Sequence, residues 1–353
     1  MMSAVPVRRI LVIRLSALGD VVMSSGLIPA LRSLYPDAHI AWLTQSAAAP
    51  LLRHNPRLDE VVIWPRERWQ SLWKQRQWRA LWREIRAFRA LLRSHQYDLV
   101  LDAQGLLKSG LCAWLTNAPR RVGLISREGS HLLVHERIEP PADADVRIGA
   151  EYRFLARYLG AQDSSYVLDL AVGAEPLAQA RQALSAHGVR GAYVVLCPFT
   201  TRPQKHWFED RWAALAGELL GRGLTPVMLG GPDDREAAGR IALQCPGLVN
   251  LVGGLKLDAS VAAVSEAALL IGVDTGLTHM GSARAVPTLA LFGSTRPYLD
   301  AAQPSTVILY DQLSCSPCRR HPTCEGAFTC MRQFTVARVL LAAEALLQGD
   351  PSR

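Results

Sequence analysis

The chain has 353 residues, 49% hydrophobic and 20% charged, ordinary figures for a soluble globular protein of two domains. Its formal charge of +8 is uneven: residues 1–160 hold 23 Lys/Arg against 14 Asp/Glu, and the remainder hold 16 against 17. No run of about 18 apolar residues occurs, which excludes a membrane-spanning helix, while the basic first half predicts an anionic partner: nucleic acid, a membrane surface or a phosphorylated substrate.

The first predicted strand, Ile10–Ile13, leads into Arg14-Leu15-Ser16-Ala17-Leu18-Gly19-Asp20 and a helix. Arg14 and Asp20 break the apolar stretch too early for a signal peptide. A carboxylate at a helix start is most simply a cap. Asp20 also fits a general base acting on a hydroxyl. Strands are predicted next at His39–Leu43 and Val61–Trp64. Between Trp64 and Arg93 lie nine Lys/Arg, two Glu and five of the nine tryptophans, Trp64, Trp69, Trp73, Trp78 and Trp82. Trp69/Trp73 and Trp78/Trp82 are i,i+4 pairs, and Leu81, Ile85, Phe88 and Leu92 continue a helical stripe. Such a segment suits an anionic bilayer interface, a stripe packed on the core under solvated arginines, or nucleic acid. Leu99–Asp102 is the next strand. A break at Leu159–Ser165 then separates two halves that open alike.

The second half begins with the predicted strand Tyr193–Cys197. It runs into Thr200-Thr201-Arg202-Pro203-Gln204-Lys205, where two hydroxyls and a lysine suit a diphosphate, or a loop with a capping Thr. Thr225–Leu229 ends in Gly230-Gly231-Pro232-Asp233, an ordinary turn or an acidic contact to a ribose diol. Leu248–Val252 follows. Ala268–Val273 ends in Asp274-Thr275-Gly276, then a helix. Asp274 or Thr275 either caps that helix or leaves its amides to a phosphate, with Gly276 allowing close approach. Thr288–Phe292 is the last predicted strand. These runs are continuous rather than alternating, as in parallel strands buried on both faces, and helices between them argue for β-α-β units. The fold class is α/β, with two Rossmann-like domains facing a central cleft. Expected spans are 1–165 for a first, basic domain, 166–334 for a second, phosphate-binding domain and 335–353 for a C-terminal helix and tail, the helix at Thr335–Leu347. No Gly-x-Gly-x-x-Gly follows the first strand, which argues against a nicotinamide enzyme. Seven cysteines leave at least one unpaired, so the expectation is a cytoplasmic chain with free or metal-bound thiols. Cys315, Cys318, Cys324 and Cys330 have the spacing of a small structural metal knuckle, or are reduced thiols in a loop.

Four motifs together resemble the ADP-heptose:lipopolysaccharide heptosyltransferases, an inverting family of GT-B architecture, over nearly the whole chain. They are Arg14-x-Ser16-x-x-Gly19-Asp20, Asp102-Ala103-Gln104-Gly105-Leu106-Leu107-Lys108-Ser109, Thr200-Thr201 with Lys205-His206-Trp207, and Asp274-Thr275-Gly276-Leu277-Thr278-His279. The second of these, with Ser126-Arg127-Glu128, looks most like the heptosyltransferase I branch, which adds heptose to Kdo2-lipid A. The resemblance implies Asp20 as base on a Kdo hydroxyl and Lys205 on the departing ADP phosphate. It implies Thr200, Thr201, Asp274, Thr275, Gly276 and His279 around diphosphate and sugar. Asp233 stands where the family commonly has the longer Glu, and Leu255 where it packs the adenine. Lys108, Arg127, Arg66 and Arg68 would face acceptor phosphates and carboxylates. No cofactor is required, nucleic acid is not expected as a partner, and the enzyme would sit on the cytoplasmic face of the inner membrane. The Cys315–Cys330 segment departs from the heptosyltransferase I pattern and occurs in other members. Heptosyltransferase II or a protein O-heptosyltransferase is therefore the near alternative, and a nucleic-acid-binding protein the distant one.

Overall fold

The computed structural model describes residues 7–125, 128–141, 146–295, 297–301, 303–318 and 321–349. They divide into two compact units. The first holds a sheet of β1 (Arg9–Ile13), β2 (His39–Gln45), β3 (Glu60–Trp64), β4 (Leu99–Asp102), β5 (Arg120–Leu124) and β6 (Glu136–Ile138). All pairings are parallel, in the order β3-β2-β1-β4-β5-β6. Strand β1 is central: Ile10 pairs with Ile40 on one side and Leu99 on the other. Its entry is fixed by the Asp98 carboxylate, which accepts from the amides of Arg8 (2.8 Å) and Arg9 (2.9 Å). Leu11 and Ile13 pack with Phe88 and Leu92 of the helix Trp78–Ser94. Ile10 and Val12 point to the other face, as the twofold strand period requires, and are equally buried.

The second unit repeats the plan. Its strands are β7 (Tyr193–Cys197), β8 (Thr225–Met228), β9 (Val249–Asn250), β10 (Leu269–Val273), β11 (Thr288–Phe292) and β12 (Thr306–Tyr310). They too are parallel, in the order β12-β11-β10-β7-β8-β9. Val194 and Leu196 face one apolar cluster with Trp212 and Phe334, while Tyr193, Val195 and Cys197 face another with Leu184 and Val264. Two apolar faces per strand are why the sequence reads as unbroken hydrophobic runs. The helix Val336–Leu347 gives Val339, Ala343 and Leu346 to the first cluster, so residues 335–349 are a layer of this unit rather than an appendage.

The chain divides at Ala171/Val172 rather than at residue 165. The reason is a set of staples on residues 166–171. The Tyr166 hydroxyl donates to the Met23 carbonyl (2.5 Å), the Asp169 amide to Ser25 Oγ (2.9 Å) and Asn55 Nδ2 to the Asp169 carbonyl (3.1 Å). Val146–Ile148 meanwhile belongs to the second unit, where the Ile148 amide donates to the Asp300 carbonyl at 2.7 Å. The chain therefore passes between the units at Val146, Gly149 and Val172.

Numbered within its own unit, each sheet has the order 3-2-1-4-5-6. The order reverses between β1 and β4 in one unit and between β7 and β10 in the other. Open α/β sheets bind ligands beyond the carboxyl ends of the strands at such a reversal. Gly272, inside β10, permits the close approach there: an added Cβ would lie 2.2 Å from Thr278 Oγ1 and 2.9 Å from Cys197 Cβ. Gly272→Ala should cost about 1–3 kcal/mol through overpacking, read as a fall of several degrees in the melting of this unit. An unchanged melting temperature would contradict the packing described.

Candidate active site

At the β7/β10 reversal three loops converge on one carboxylate. Asp274 follows β10 and is mostly buried. Its Oδ2 accepts from Lys205 Nζ at 2.5 Å and Thr295 Oγ1 at 2.6 Å, and its Oδ1 lies 3.3 Å from His279 Nε2. The other ring nitrogen of His279 is 2.9 Å from the Tyr298 hydroxyl. Thr200 Oγ1 donates to the Asp274 carbonyl at 3.3 Å. Burial works to raise the Asp274 pKa, but the His279 hydrogen bond and charge, with the Lys205 charge, outweigh it and hold the carboxyl well below its usual range. Its oxygens are engaged by the Lys205 ammonium, the Thr295 hydroxyl and the His279 ring. Asp274 fixes the groups that would bind a phosphate.

The capping alternative for this loop is not realised. Neither Asp274 nor Thr275 caps the helix Gly276–Ala283 with its side chain, and among the described residues no side chain claims its first amides. Thr201 is exposed, and Asp233 is exposed in the turn Pro232–Asp234 beyond β8. Leu255 is half-buried against the cluster that holds Val264 and Leu270. Thr200, Lys205, Asp274 and His279 are thus joined by direct contacts, and Thr201, Thr275 and Gly276 adjoin them in sequence. Asp233 and Leu255 stand on the β8 and β9 side of the same sheet. Sequence reasoning did not name Thr295 and Tyr298. Their signal was present, since Gly293-Ser294-Thr295 follows a buried parallel strand just as Asp274 does.

In the first unit, Asp20 sits in the first turn of the helix Leu18–Ser24. Its Oδ2 accepts from the Ala17 amide (3.1 Å) and pairs with Arg14 Nη2 (2.5 Å). The cap is therefore real, yet both contacts fall on one oxygen. Oδ1 has no hydrogen-bond partner among the described residues, and the side chain is 36% exposed. Arg14 is buried, donates from Nη1 to the Ala103 carbonyl (2.9 Å) and lies over the Tyr152 ring. The Leu15 amide donates to Gln104 Oε1 (2.9 Å). The loops after β1 and β4 are thereby tied together. Asp102, fully buried, shapes the second of them by accepting from the Gln104 and Gly105 amides, both at 3.0 Å. Burial raises its pKa to about 6 against those hydrogen bonds.

Lys108 opens the helix after β4. Burial first, then the charges of Arg66 and Arg14, lower its pKa. Glu128 acts against them, so Lys108 and Arg66 are near one another with a carboxylate in reach. Arg68 is exposed and 3.8 Å from Glu84, and Arg127 lies outside the described residues. Cys315, Cys318, Cys324 and Cys330 line one cavity of ≈ 10 Å³ with Gln204, Gly293 and Ser294, about the room of a single water. Burial raises the thiol pKa of Cys318 and Cys330. Among the described residues no three His, Cys, Asp or Glu side chains are gathered as a metal ligand set.

Two Rossmann-like sheets in one chain, with a held lysine at one reversal and a half-open carboxylate at the other, are the layout of a GT-B glycosyltransferase. The model of glycosyltransferase family 9 (heptosyltransferase) matches residues 85–328. Lipopolysaccharide heptosyltransferase 1 of Pseudomonas aeruginosa is 32% identical over 321 residues, covering 88% of this chain and 86% of that protein. The family 9 glycosyl transferase of Veillonella parvula superposes with a TM-score of 0.81 at 22% identity, covering 97% of both chains. The E. coli heptosyltransferase WaaC with ADP gives 0.71 at 25% identity, covering 96% of this chain and 99% of that one. The chain belongs to glycosyltransferase family 9, the heptosyltransferase family, and is a glycosyltransferase.

The Asp274 network carries a pH signature. A carboxyl depressed in the folded state stabilises it above the ordinary value of 3.8, and that contribution is lost as the pH falls below it. Lys205→Met removes one of the two groups that depress Asp274, so Asp274 should titrate at higher pH and acid unfolding should begin at higher pH than in the parent. At neutral pH the orphaned carboxylate should cost up to roughly 3 kcal/mol. Circular dichroism against pH reads the first effect and thermal melting the second. An acid midpoint that stays in place would remove Lys205 from the network.

Proposed function

We propose that this chain is an inverting heptosyltransferase of the heptosyltransferase I type. It would transfer L-glycero-D-manno-heptose from ADP-heptose to a Kdo residue of Kdo2-lipid A. The observation that carries the donor half is Lys205, held at 2.5 Å from Asp274 beside an uncapped helix N-terminus at the β7/β10 reversal. Helix amides and a lysine are suited to a diphosphate and to the charge that builds on it as it departs. Thr200, Thr201, Thr275, Gly276 and His279 would complete that wall, with Asp233 at the ribose and Leu255 at the adenine.

For the acceptor half, the support is Asp20, whose one oxygen is anchored while the other is open. Oδ1 would take the hydroxyl proton as the new glycosidic bond forms and the ADP oxygen leaves the opposite face of the anomeric carbon. One displacement of this kind inverts the configuration. Arg66, Arg68, Lys108 and Arg127 would pair with acceptor phosphates and carboxylates. The name of the Pseudomonas relative supports the heptosyltransferase I assignment. The Cys315–Cys330 segment is the feature that keeps heptosyltransferase II or a protein-modifying member as the second reading. Among the described residues no helix is long and apolar enough to cross a membrane. We place the enzyme peripherally, on the cytoplasmic face of the inner membrane where its acceptor would be anchored, with no role for nucleic acid.

ADP-heptose turnover measured with Kdo2-lipid A beside a heptosylated acceptor tests the assignment, and exclusive use of the second would overturn it. In the same assay Asp20→Ala should lose about 10²–10⁴-fold in turnover, the usual contribution of a general base. It should keep its thermal stabilisation by ADP. Near-normal turnover would rule out the base. Transfer should also need no metal ion and survive chelation by EDTA. We further propose that the four thiols around the ≈ 10 Å³ cavity draw together on one structural thiophilic metal ion. Elemental analysis of protein purified without metal supplements should then give one equivalent, lost in Cys315→Ser with Cys318→Ser. Metal-free protein carrying four titratable thiols there would refute it.

A further inference from the structure

Five tryptophans crowd residues 64–82, and the fold sends them in two directions. Trp64 and Trp69 meet edge to face at 6.1 Å, and Trp69 meets Phe88 at 5.5 Å. These pack against the core beneath the helix Trp78–Ser94. Trp73, Trp78 and Trp82 remain outside, 62%, 45% and 65% exposed. Leu81, Phe88 and Leu92 are the buried face of that helix. Trp78, Arg79, Trp82, Arg83 and Arg86, spaced by three and four, instead line one open groove of ≈ 390 Å³. Three exposed indoles in one patch are unusual on a soluble surface and mark a place of contact.

The charge around the patch is uncompensated. None of Arg79, Arg83 and Arg86 has a carboxylate within ion-pair distance among the described residues. The two acids of the segment are engaged elsewhere: Glu67 accepts from Ser46 Oγ at 2.9 Å, and Glu84 lies 3.8 Å from Arg68. The surface thus offers indoles, with an apolar body and a polar N–H, interleaved with guanidiniums on long aliphatic stems. That pairing matches the interfacial zone of a bilayer, where indoles settle at the depth of the head groups and arginines reach lipid phosphates. It matches single-stranded nucleic acid less well. Trp73 and Trp78 pack edge to face at 4.8 Å, which occupies a ring face that a base would need for stacking.

We propose that Trp73, Trp78 and Trp82, with Arg79, Arg83 and Arg86, form a docking surface for a bilayer of anionic phospholipid. None of these six side chains is among those assigned to transfer, although Arg66 and Arg68 stand on the helix that carries Trp73. The docking surface depends on the proposed function only in that a lipid-anchored acceptor is met at a membrane.

Co-sedimentation of the full chain with phosphatidylcholine vesicles, with and without phosphatidylglycerol, tests it. The parent should bind the anionic vesicles, more weakly in high salt, and its fluorescence should be quenched by brominated lipid. Arg79→Gln with Arg83→Gln and Arg86→Gln removes three interfacial charges, each contributing about a fivefold factor, so affinity should fall roughly a hundredfold. Trp73→Ser with Trp78→Ser and Trp82→Ser should abolish the quenching and weaken binding by about tenfold or more. Both triple variants change exposed side chains, so melting temperature and turnover on a deacylated, water-soluble acceptor should match the parent. Absence of vesicle binding by the parent would overturn the proposal, as would undiminished binding by both variants or binding to single-stranded oligonucleotide in place of vesicles. Vesicle binding is read without turnover, so failure of the parent to transfer heptose would count against the function and leave the docking result standing.

Discussion

A carboxylate in a mostly buried position must be neutralised where it stands, and that requirement organises the second unit's site. Asp274 draws Lys205 from the loop after β7, Thr295 from the loop after β11 and His279 from its own helix. Three carboxyl-end loops are thereby held in register by one side chain. Without it Lys205 would be a long cation with no preferred position. With it the ammonium is placed before any substrate arrives, the preorganisation on which electrostatic stabilisation of a leaving group depends. The first unit uses the same device in mirror roles. There Arg14 is the buried charge, and Asp20 is the partner it fixes at the surface.

The two sheets explain why much of this was legible beforehand. Strands β1, β4, β7, β10 and β11 are buried on both faces, so each is an unbroken apolar run that stands out from its neighbours. The reversal of strand order then sends the loops after β1, β4, β7 and β10 to the places where ligands bind, and those loops carry Asp20, Lys108, Lys205 and Asp274.

What escaped was at the edges or depended on long-range contacts. Strand β5 opens with Arg120-Arg121 and β6 has three residues, so neither presents an apolar run; β12 does present one, Val307-Ile308-Leu309-Tyr310, and was passed over at the sheet edge. Thr295 shares the strand-end signal of Asp274, but its contact with that residue, like that of Tyr298 with His279, shows only when β11 is laid beside β10. The continuation of the first unit to Ala171 rests on Tyr166, Asp169 and Asn55, and no composition shift marks such staples. The tryptophan-rich segment divided between its readings, Trp64 and Trp69 joining the core while Trp73, Trp78 and Trp82 did not. Helical spacing alone cannot make that division, because the i,i+4 pair Trp69/Trp73 is itself split by it.

The path of the chain between the units bears on how such proteins can be recombined. Since it enters the second unit at Val146, returns at Gly149 and leaves again at Val172, no single junction separates one unit from the other. A chimera joined near residue 171 would take Val146–Ile148 from one parent and the Asp300 carbonyl it bonds from the other. A chimera joined near 145 would split the first unit's last helix from its sheet. Halves of related chains are therefore not interchangeable cassettes.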